Sequence, residues 1–133
     1  MRRLIWITAI LLIACNGKEQ NYRKADDALD AGREYINACL QGDFGKAAFF
    51  MSPGEKNIQQ LKEIEKSYRQ KDKEGRQQFR SASINIDEVT DVNDSITIIR
   101  YSNSFDKLPH TLQVIKQLDN WLVDITNTDN PGR

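Results

Sequence analysis

The sequence predicts an α+β fold in which N-terminal helices pack on an antiparallel sheet of about four strands. Apolar residues of the first half recur at steps of three and four, as on one face of a helix. Those of the second half alternate with polar residues and are separated by turn signals. The helical and strand patterns are segregated along the chain, which favours α+β over an alternating α/β fold.

The first predicted helix covers roughly 17 residues and ends at Gly42, a typical C-terminal cap. Asp26, Asp27 and Asp30 lie near its start, where acidic side chains suit the helix dipole. Its apolar face is formed by Ala25, Ala28, Leu29, Gly32, Ile36, Cys39 and Leu40.

Two further helices are predicted before the sheet. Asp43 is placed to cap a short apolar helix that extends through Met51. The Ser-Pro-Gly sequence at 52–54 breaks that helix. A third helix is predicted from about Glu55 to Lys73, with one apolar face that consists of Ile58, Leu61, Ile64 and Tyr68.

The first two strands are predicted from alternating isoleucines. Ile84 and Ile86 belong to one strand, and Ile96 and Ile98 belong to the other. The polar residues 91–94 between them predict a turn.

The last two strands are predicted to form a hairpin. Pro109 opens the third strand, and residues 119–120 are the predicted two-residue turn, with Leu118 opposite Trp121. This register places the apolar residues of both strands on one buried face: Leu112, Val114, Leu118, Trp121, Val123 and Ile125.

The first residues predict an export signal. Two arginines precede the apolar run Leu4–Ile13, which is about half as long as a membrane-spanning helix requires. Residues 12–15, Leu-Ile-Ala-Cys, match the lipobox, in which a small residue precedes the cut and the cysteine thiol receives a diacylglyceryl group. The sequence therefore predicts that residues 1–14 are a lipoprotein signal peptide and that Cys15 is lipidated.

Cleavage before Cys15 leaves a chain with three predicted segments. Residues 15–23 are the lipidated cysteine and a polar tether, residues 24–127 are the α+β domain, and residues 128–133 are a flexible tail. We expect the protein to be held on a membrane facing the periplasm or the cell exterior through lipid on Cys15 alone. Asn16 stands where an aspartate is associated with inner-membrane retention, which favours the outer membrane.

Composition restricts the partners and the cysteine chemistry. The formal net charge is zero, so no nucleic-acid partner is expected. With Cys15 lipidated, Cys39 has no partner within the chain. Its position on the apolar helix face predicts burial, and not pairing between molecules.

The order of elements and two segments resemble a known family. One segment, residues 31–48, contains the sequence Leu-Gln-Gly-Asp-Phe, and the other, residues 114–124, contains Asn-Trp-Leu-Val. Together they are similar to small bacterial lipoprotein domains with the nuclear-transport-factor-two-like (cystatin-like) fold, in which glycine usually occupies the position of Asn120. The resemblance covers residues 25–126. It implies a curved sheet wrapped around a long helix, sometimes with a cone-shaped pocket, and it carries over no catalytic residue.

No residues have a recognisable catalytic or metal-binding spacing. The superfamily that the resemblance indicates includes isomerases and dehydratases, which place Asp, Tyr or His in the cone. His110 is the one histidine, and we expect it to be exposed and without an identifiable acid partner. A nucleophilic pair of Cys39 and His110 conflicts with the apolar setting of the cysteine. The acidic residues from Asp91 begin like a calcium loop, but Ile96 occupies the position that requires glycine. We therefore predict no catalytic residue, no metal and no cofactor.

Four aromatic residues are candidates for lining a pocket: Tyr35, Tyr68, Tyr101 and Trp121. They would form an apolar wall with polar tips that suits a small amphipathic ligand. A homodimer through the mixed sheet face around Ile115 is the other expected interaction. The sequence thus favours a membrane-anchored, non-catalytic domain for ligand binding or protein interaction. The alternatives are an isomerase-like or dehydratase-like enzyme of the same fold and a purely structural envelope lipoprotein.

Overall fold

The computed structural model describes residues 21–127, in which helices pack against one four-stranded antiparallel sheet. The elements are α1 (Ala28–Gln41), α2 (Phe44–Phe49), α3 (Glu55–Gln70), α4 (Lys73–Arg80), β1 (Ile84–Asn93), β2 (Ile96–Asn103), β3 (His110–Gln117), β4 (Asn120–Asp124) and a 3-10 turn (Ile125–Asn127). Each strand hydrogen-bonds to the next along the chain. The predicted α+β class is confirmed. The predicted signal peptide, Cys15 and the tail lie outside the described residues.

Both ends of α1 have caps that the sequence supplies. The Asp27 carboxylate accepts a hydrogen bond from the Asp30 amide at 2.8 Å. Gly42 ends the helix with a φ of 72°, the left-handed conformation that glycine adopts readily. The predicted cap at Gly42 is confirmed. The helix begins at Ala28 and not at Ala25, because Asp27 takes the capping position.

Helix α2 begins where the sequence predicts but ends earlier. Asp43 caps it by accepting a hydrogen bond from the Lys46 amide at 3.1 Å. The prediction that the helix continues through Met51 is wrong, since α2 ends at Phe49 and Met51 forms a parallel bridge with Val123. The neighbouring backbone groups hydrogen-bond to β4 at 2.8 Å, which gives partners to an otherwise open sheet edge.

A break that the residue pattern does not predict separates α3 from α4. Helix α3 ends at Gln70, although the pattern predicted helix as far as Lys73. The next residue has extended backbone, and Asp72 then caps α4 by accepting a hydrogen bond from the Gly75 amide at 2.7 Å. Aspartate favours a cap over a helix interior, which explains the break. Through α4, Phe79 packs partly against the core.

The turn between β1 and β2 lies later than predicted. Strand β1 continues to Asn93, and residues 94–95 form the turn in place of residues 91–94. The register of β1 shifts between Ile86 and Glu88 and again before its last residue. These shifts are β-bulges, which bend a strand and increase its twist.

The β3–β4 hairpin has the predicted faces but not the predicted register. The turn residues are Leu118 and Asp119, with φ of 47° and 60°. The predicted pairing of Leu118 with Trp121 is wrong: Trp121 pairs two residues earlier in β3, a slip that leaves side chains on their predicted faces. Val114 therefore lies opposite Val123, and both are fully buried. Leu118 does not join that face, because it lies in the turn and is 100% exposed.

The core lies between α1 and one face of the sheet. Gly32 marks the closest approach of the helix, since a Cβ atom there would lie 2.5 Å from Cδ1 of Ile99. Ile99, Val114 and Val123, one from each of β2, β3 and β4, have no solvent exposure. Helix α1 therefore rests directly on side chains of β2 and β3 at Gly32.

Candidate functional site

The second half of α1 and strand β2 bring two tyrosines and a cysteine together. Tyr35 and Cys39 are one helical turn apart, and Tyr101 interacts with both. Burial raises the pKa of the Cys39 thiol to about 12 and raises the pKa of both tyrosine hydroxyls above the usual value. All three groups of this tyrosine–cysteine cluster are therefore neutral near pH 7. Cys39 is a free cysteine, half-buried as a residue but with its thiol enclosed by protein.

The Tyr35 hydroxyl is a buried polar group of the cluster without a regular hydrogen bond in the described part of the chain. It is buried and has no hydrogen-bond partner of good geometry among residues 21–127. The adjacent Cys39 thiol is only a weak partner for it. A buried hydroxyl without a full hydrogen bond costs about 1–3 kcal/mol, so such groups are rare and often functional.

His110 lies beside this cluster and has an acid partner. Its Nε2 atom is 2.8 Å from Oδ2 of Asp106, and its ring stacks on Tyr101 with 5.2 Å between centroids. The His110 side chain is 10% exposed. The expectation of an exposed histidine without an acid partner is therefore wrong. The loop before β3 turns back on itself, as the Asp106 carboxylate also accepts a hydrogen bond from the Leu108 amide at 3.0 Å.

The tyrosine–cysteine cluster has an acid–base pair beside it but contains no activated nucleophile. A cysteine–histidine pair needs a thiolate near neutral pH. With a pKa of about 12, the Cys39 thiol stays protonated there. Asp106 can orient the His110 imidazole, so proton transfer by this pair is the chemistry that the geometry allows.

The other two aromatic candidates lie in different surroundings, so the four do not line one pocket. Tyr68 packs against Phe44 and Phe79, with ring centroids 5.6 and 6.0 Å apart. Trp121 lies at the opposite end of β3 from the histidine, and the Lys116 ammonium is 5.6 Å from the centroid of its ring. Of the four candidates, Tyr35 and Tyr101 lie close enough to interact.

Two open grooves flank the segment that leads into α1. One has a volume of about 350 Å³ and is lined mainly by charged residues, including the ion pair of Glu34 and Lys46. The other has a volume of about 440 Å³ and lies between residues 23–26 and the β3–β4 hairpin, where Lys116 and Trp121 line it. Neither groove is lined by the tyrosine–cysteine cluster.

The sheet face opposite α1 carries a row of apolar side chains. Ile96, Ile115 and Leu122 pair across three neighbouring strands, and Ile98 extends the row along β2. Leu122 is buried and the three isoleucines are half-buried, yet none of the four belongs to the core under α1. We call these four residues the outer row. They lie on the mixed face that the sequence predicted around Ile115.

Acidic side chains of β1 have polar neighbours. Glu88 pairs with Arg100 at 3.3 Å, and Asp91 accepts a hydrogen bond from the Thr97 hydroxyl at 2.8 Å. Within residues 21–127, no three or more His, Cys, Asp and Glu side chains are grouped so as to hold a metal ion.

The predicted lipidation site, Cys15, lies outside the described residues. Among the helices of residues 21–127, none is both long and apolar enough to cross a membrane. Comparison with known proteins found no matching family model, no similar curated protein and no similar solved structure.

Proposed function

We propose that this chain is a lipid-anchored lipoprotein of the bacterial cell envelope, and that its domain is a non-catalytic interaction module. The anchor rests on the lipobox at residues 12–15 and the short apolar run before it. The outer membrane is the favoured location, because Asn16 replaces the retention aspartate. The observation that carries the interaction role is the outer row, an apolar strip on the sheet face opposite α1.

A second copy of the chain is the proposed partner for the outer row. The strip crosses β2, β3 and β4 with Ile115 at its centre. Two such sheets pack face to face about a twofold axis, which would bury each strip against its own copy. The outer row itself contains no charged residue, and charged residues are likewise depleted at the centres of stable interfaces.

The nuclear-transport-factor-two-like (cystatin-like) cone is part of the same proposal. Helix α1 lies along one face of the sheet, and the bulges of β1 supply bending. At the level of Gly32 the interior is filled. The end of the cone would then lie at the tyrosine–cysteine cluster, where a small amphipathic ligand that enters the interior would meet the buried Tyr35 hydroxyl, a donor without a hydrogen-bond partner among residues 21–127.

Native mass spectrometry of the mature protein in detergent tests this proposal. We expect a dimer for the wild type and a monomer for Ile115→Arg, because a charge at the centre of the buried strip is costly. Val92→Arg is the matched control, since Val92 is 59% exposed on β1 and should leave the dimer intact. A wild-type monomer without a bound molecule would contradict the proposal and favour a purely structural lipoprotein.

An isomerase-like or dehydratase-like enzyme of the same fold is the second candidate. The hydrogen-bonded pair of His110 and Asp106 next to Tyr101 is the observation that favours it. The rate of Cys39 alkylation distinguishes an enzyme that uses this thiol as a nucleophile from the non-catalytic module. Rapid modification near pH 7 that slows in His110→Gln would support the enzyme, whereas the non-catalytic module predicts an unreactive thiol in both proteins.

A further inference from the structure

Leu118 has an unfavourable backbone conformation and an apolar side chain that is fully exposed to solvent. Its φ of 47° is left-handed, a conformation that hairpin turns usually assign to Asn or Gly. Its side chain is 100% exposed, more than any other large apolar side chain of residues 21–127. Residues that violate local structural preferences are expected at functional or strained sites.

The neighbours of Leu118 complete an amphipathic edge, which we call the hairpin tip (Lys116, Leu118 and Trp121). Trp121 is half-buried, and the Lys116 ammonium lies 5.6 Å from the centroid of its ring. Tryptophan, with its polar N–H, and lysine, with its apolar stem, both favour the interface between membrane and water. Leu118 lies in the turn beyond them and is the most protruding apolar group.

The chain enters the domain beside the hairpin tip. Arg23 and Lys24 line the same groove as Lys116 and Trp121. From Cys15 to Arg23 the chain spans at most about 28 Å when fully extended. A lipid on Cys15 would therefore keep this end of the domain close to the bilayer surface.

We infer that the hairpin tip docks on the lipid bilayer that holds the anchor. Leu118 enters the boundary between headgroups and acyl chains, while Trp121 and Lys116 lie at the interface. This inference rests on the proposed lipidation of Cys15. It adds to the lipid anchor a fixed orientation of the domain, in which the β3–β4 end of the sheet faces the membrane.

Charges near the tip nearly cancel, so the docking depends mainly on apolar contact. Three cations and two carboxylates line the groove beside it: Arg23, Lys24, Lys116, Asp26 and Asp119. One excess positive charge is far short of the cluster of roughly four to eight basic residues that marks a site for anionic lipid. Vesicles of phosphatidylcholine alone should therefore support docking.

Trp121 is a natural probe of this contact. The sequence has two tryptophans, and the other one, Trp6, lies in the predicted signal peptide. Mature protein purified from membranes is reconstituted into phosphatidylcholine vesicles whose acyl chains carry bromine near the headgroups. Intact mass first establishes lipid on Cys15 and the loss of residues 1–14. We expect the brominated lipid to quench Trp121 fluorescence at least about twofold relative to unbrominated vesicles.

The matched variants are Leu118→Asn and Leu108→Asn. Asparagine accepts a left-handed φ, so Leu118→Asn keeps the turn and removes the apolar contact. Because burial of one leucine changes an equilibrium by roughly tenfold or more, this variant should lose most of the quenching. Leu108 is also an exposed leucine, 47% exposed, but it lies in the loop before β3 at the other end of the sheet. Its substitution should leave the quenching unchanged.

Two results would overturn the docking. One is a lipidated wild type whose Trp121 is not quenched, and the other is equal quenching in Leu118→Asn. A purified chain that carries no lipid would instead overturn the proposed anchor, and the inference with it. The mass and the fluorescence therefore separate the two failures.

Discussion

Helix α1 rests on the sheet through Gly32, and Gly32→Ala is the sharpest test of this packing. The added Cβ would lie 2.5 Å from Cδ1 of Ile99 and 3.5 Å from Cδ2 of Leu112. Ile99 has no solvent exposure, so its side chain has no open space into which it can move. The helix or the strand must shift to accommodate the methyl group.

The expected change in the free energy of unfolding combines two opposing effects. Inserting a methyl group into a well-packed core costs about 1–3 kcal/mol. Alanine in place of glycine inside a helix contributes about 1 kcal/mol of stability. Gly32→Ala should therefore destabilise the domain by up to about 2 kcal/mol. Gly45→Ala in α2 is the control, because its Cβ would meet no atom closer than 3.8 Å and should be neutral or stabilising.

Urea denaturation of the chain from Asn16 onward, followed by Trp121 fluorescence, measures these differences. Ile99→Val removes the Cδ1 atom and alone costs about 0.5–1.5 kcal/mol. Combined with Gly32→Ala, it should recover stability, giving a coupling energy of about 1 kcal/mol or more. Equal stability of the Gly32→Ala and Gly45→Ala variants, together with additive effects in the double mutant, would refute the close approach of α1.

Other predictions concern the turn, the cap and the buried thiol. Leu118→Asn should raise the free energy of unfolding by about 1 kcal/mol, because asparagine relieves the left-handed strain; an unchanged urea midpoint would contradict this. Asp43→Ala should cost about 1 kcal/mol in the same assay through loss of the α2 cap, and a loss below a few tenths would count against it. Folding raises the pKa of Cys39 from 9.0 to about 12, so the folded chain binds more protons in that interval. Stability is then full below pH 9 and falls as the pH rises towards 12, and Cys39→Ala should flatten this slope above about pH 9. Identical slopes in the two proteins would exclude the buried thiol as a cause.

The sequence was sufficient for features that depend on local chemistry. Gly42 and Asp43 were predicted as helix caps, because each acts on backbone groups within a few residues. The buried face of the β3–β4 hairpin was also predicted, since the alternation of side chains does not depend on the register. For the same reason the alternation could not reveal the two-residue slip that put Leu118 in the turn.

Features that depend on distant contacts were missed. Met51 lies outside α2, because this segment forms a bridge and backbone hydrogen bonds with the open edge of β4. At the candidate site, the pattern of the third strand began at Pro109 and gave no indication that Asp106 folds back onto His110. The four aromatic candidates lie far apart in the sequence, and only the position of a strand next to α1 decides which of them meet.

The intact mass of the protein extracted from cell membranes decides whether lipid on Cys15 anchors the chain. We expect a chain that begins at Cys15 and carries the added mass of a diacylglyceryl group, with or without a further acyl chain. The Cys15→Ala variant should retain residues 1–14 and gain no such mass. A membrane-extracted chain with an unmodified Cys15, or a variant that is cut and retained on membranes like the wild type, would contradict the proposed anchor.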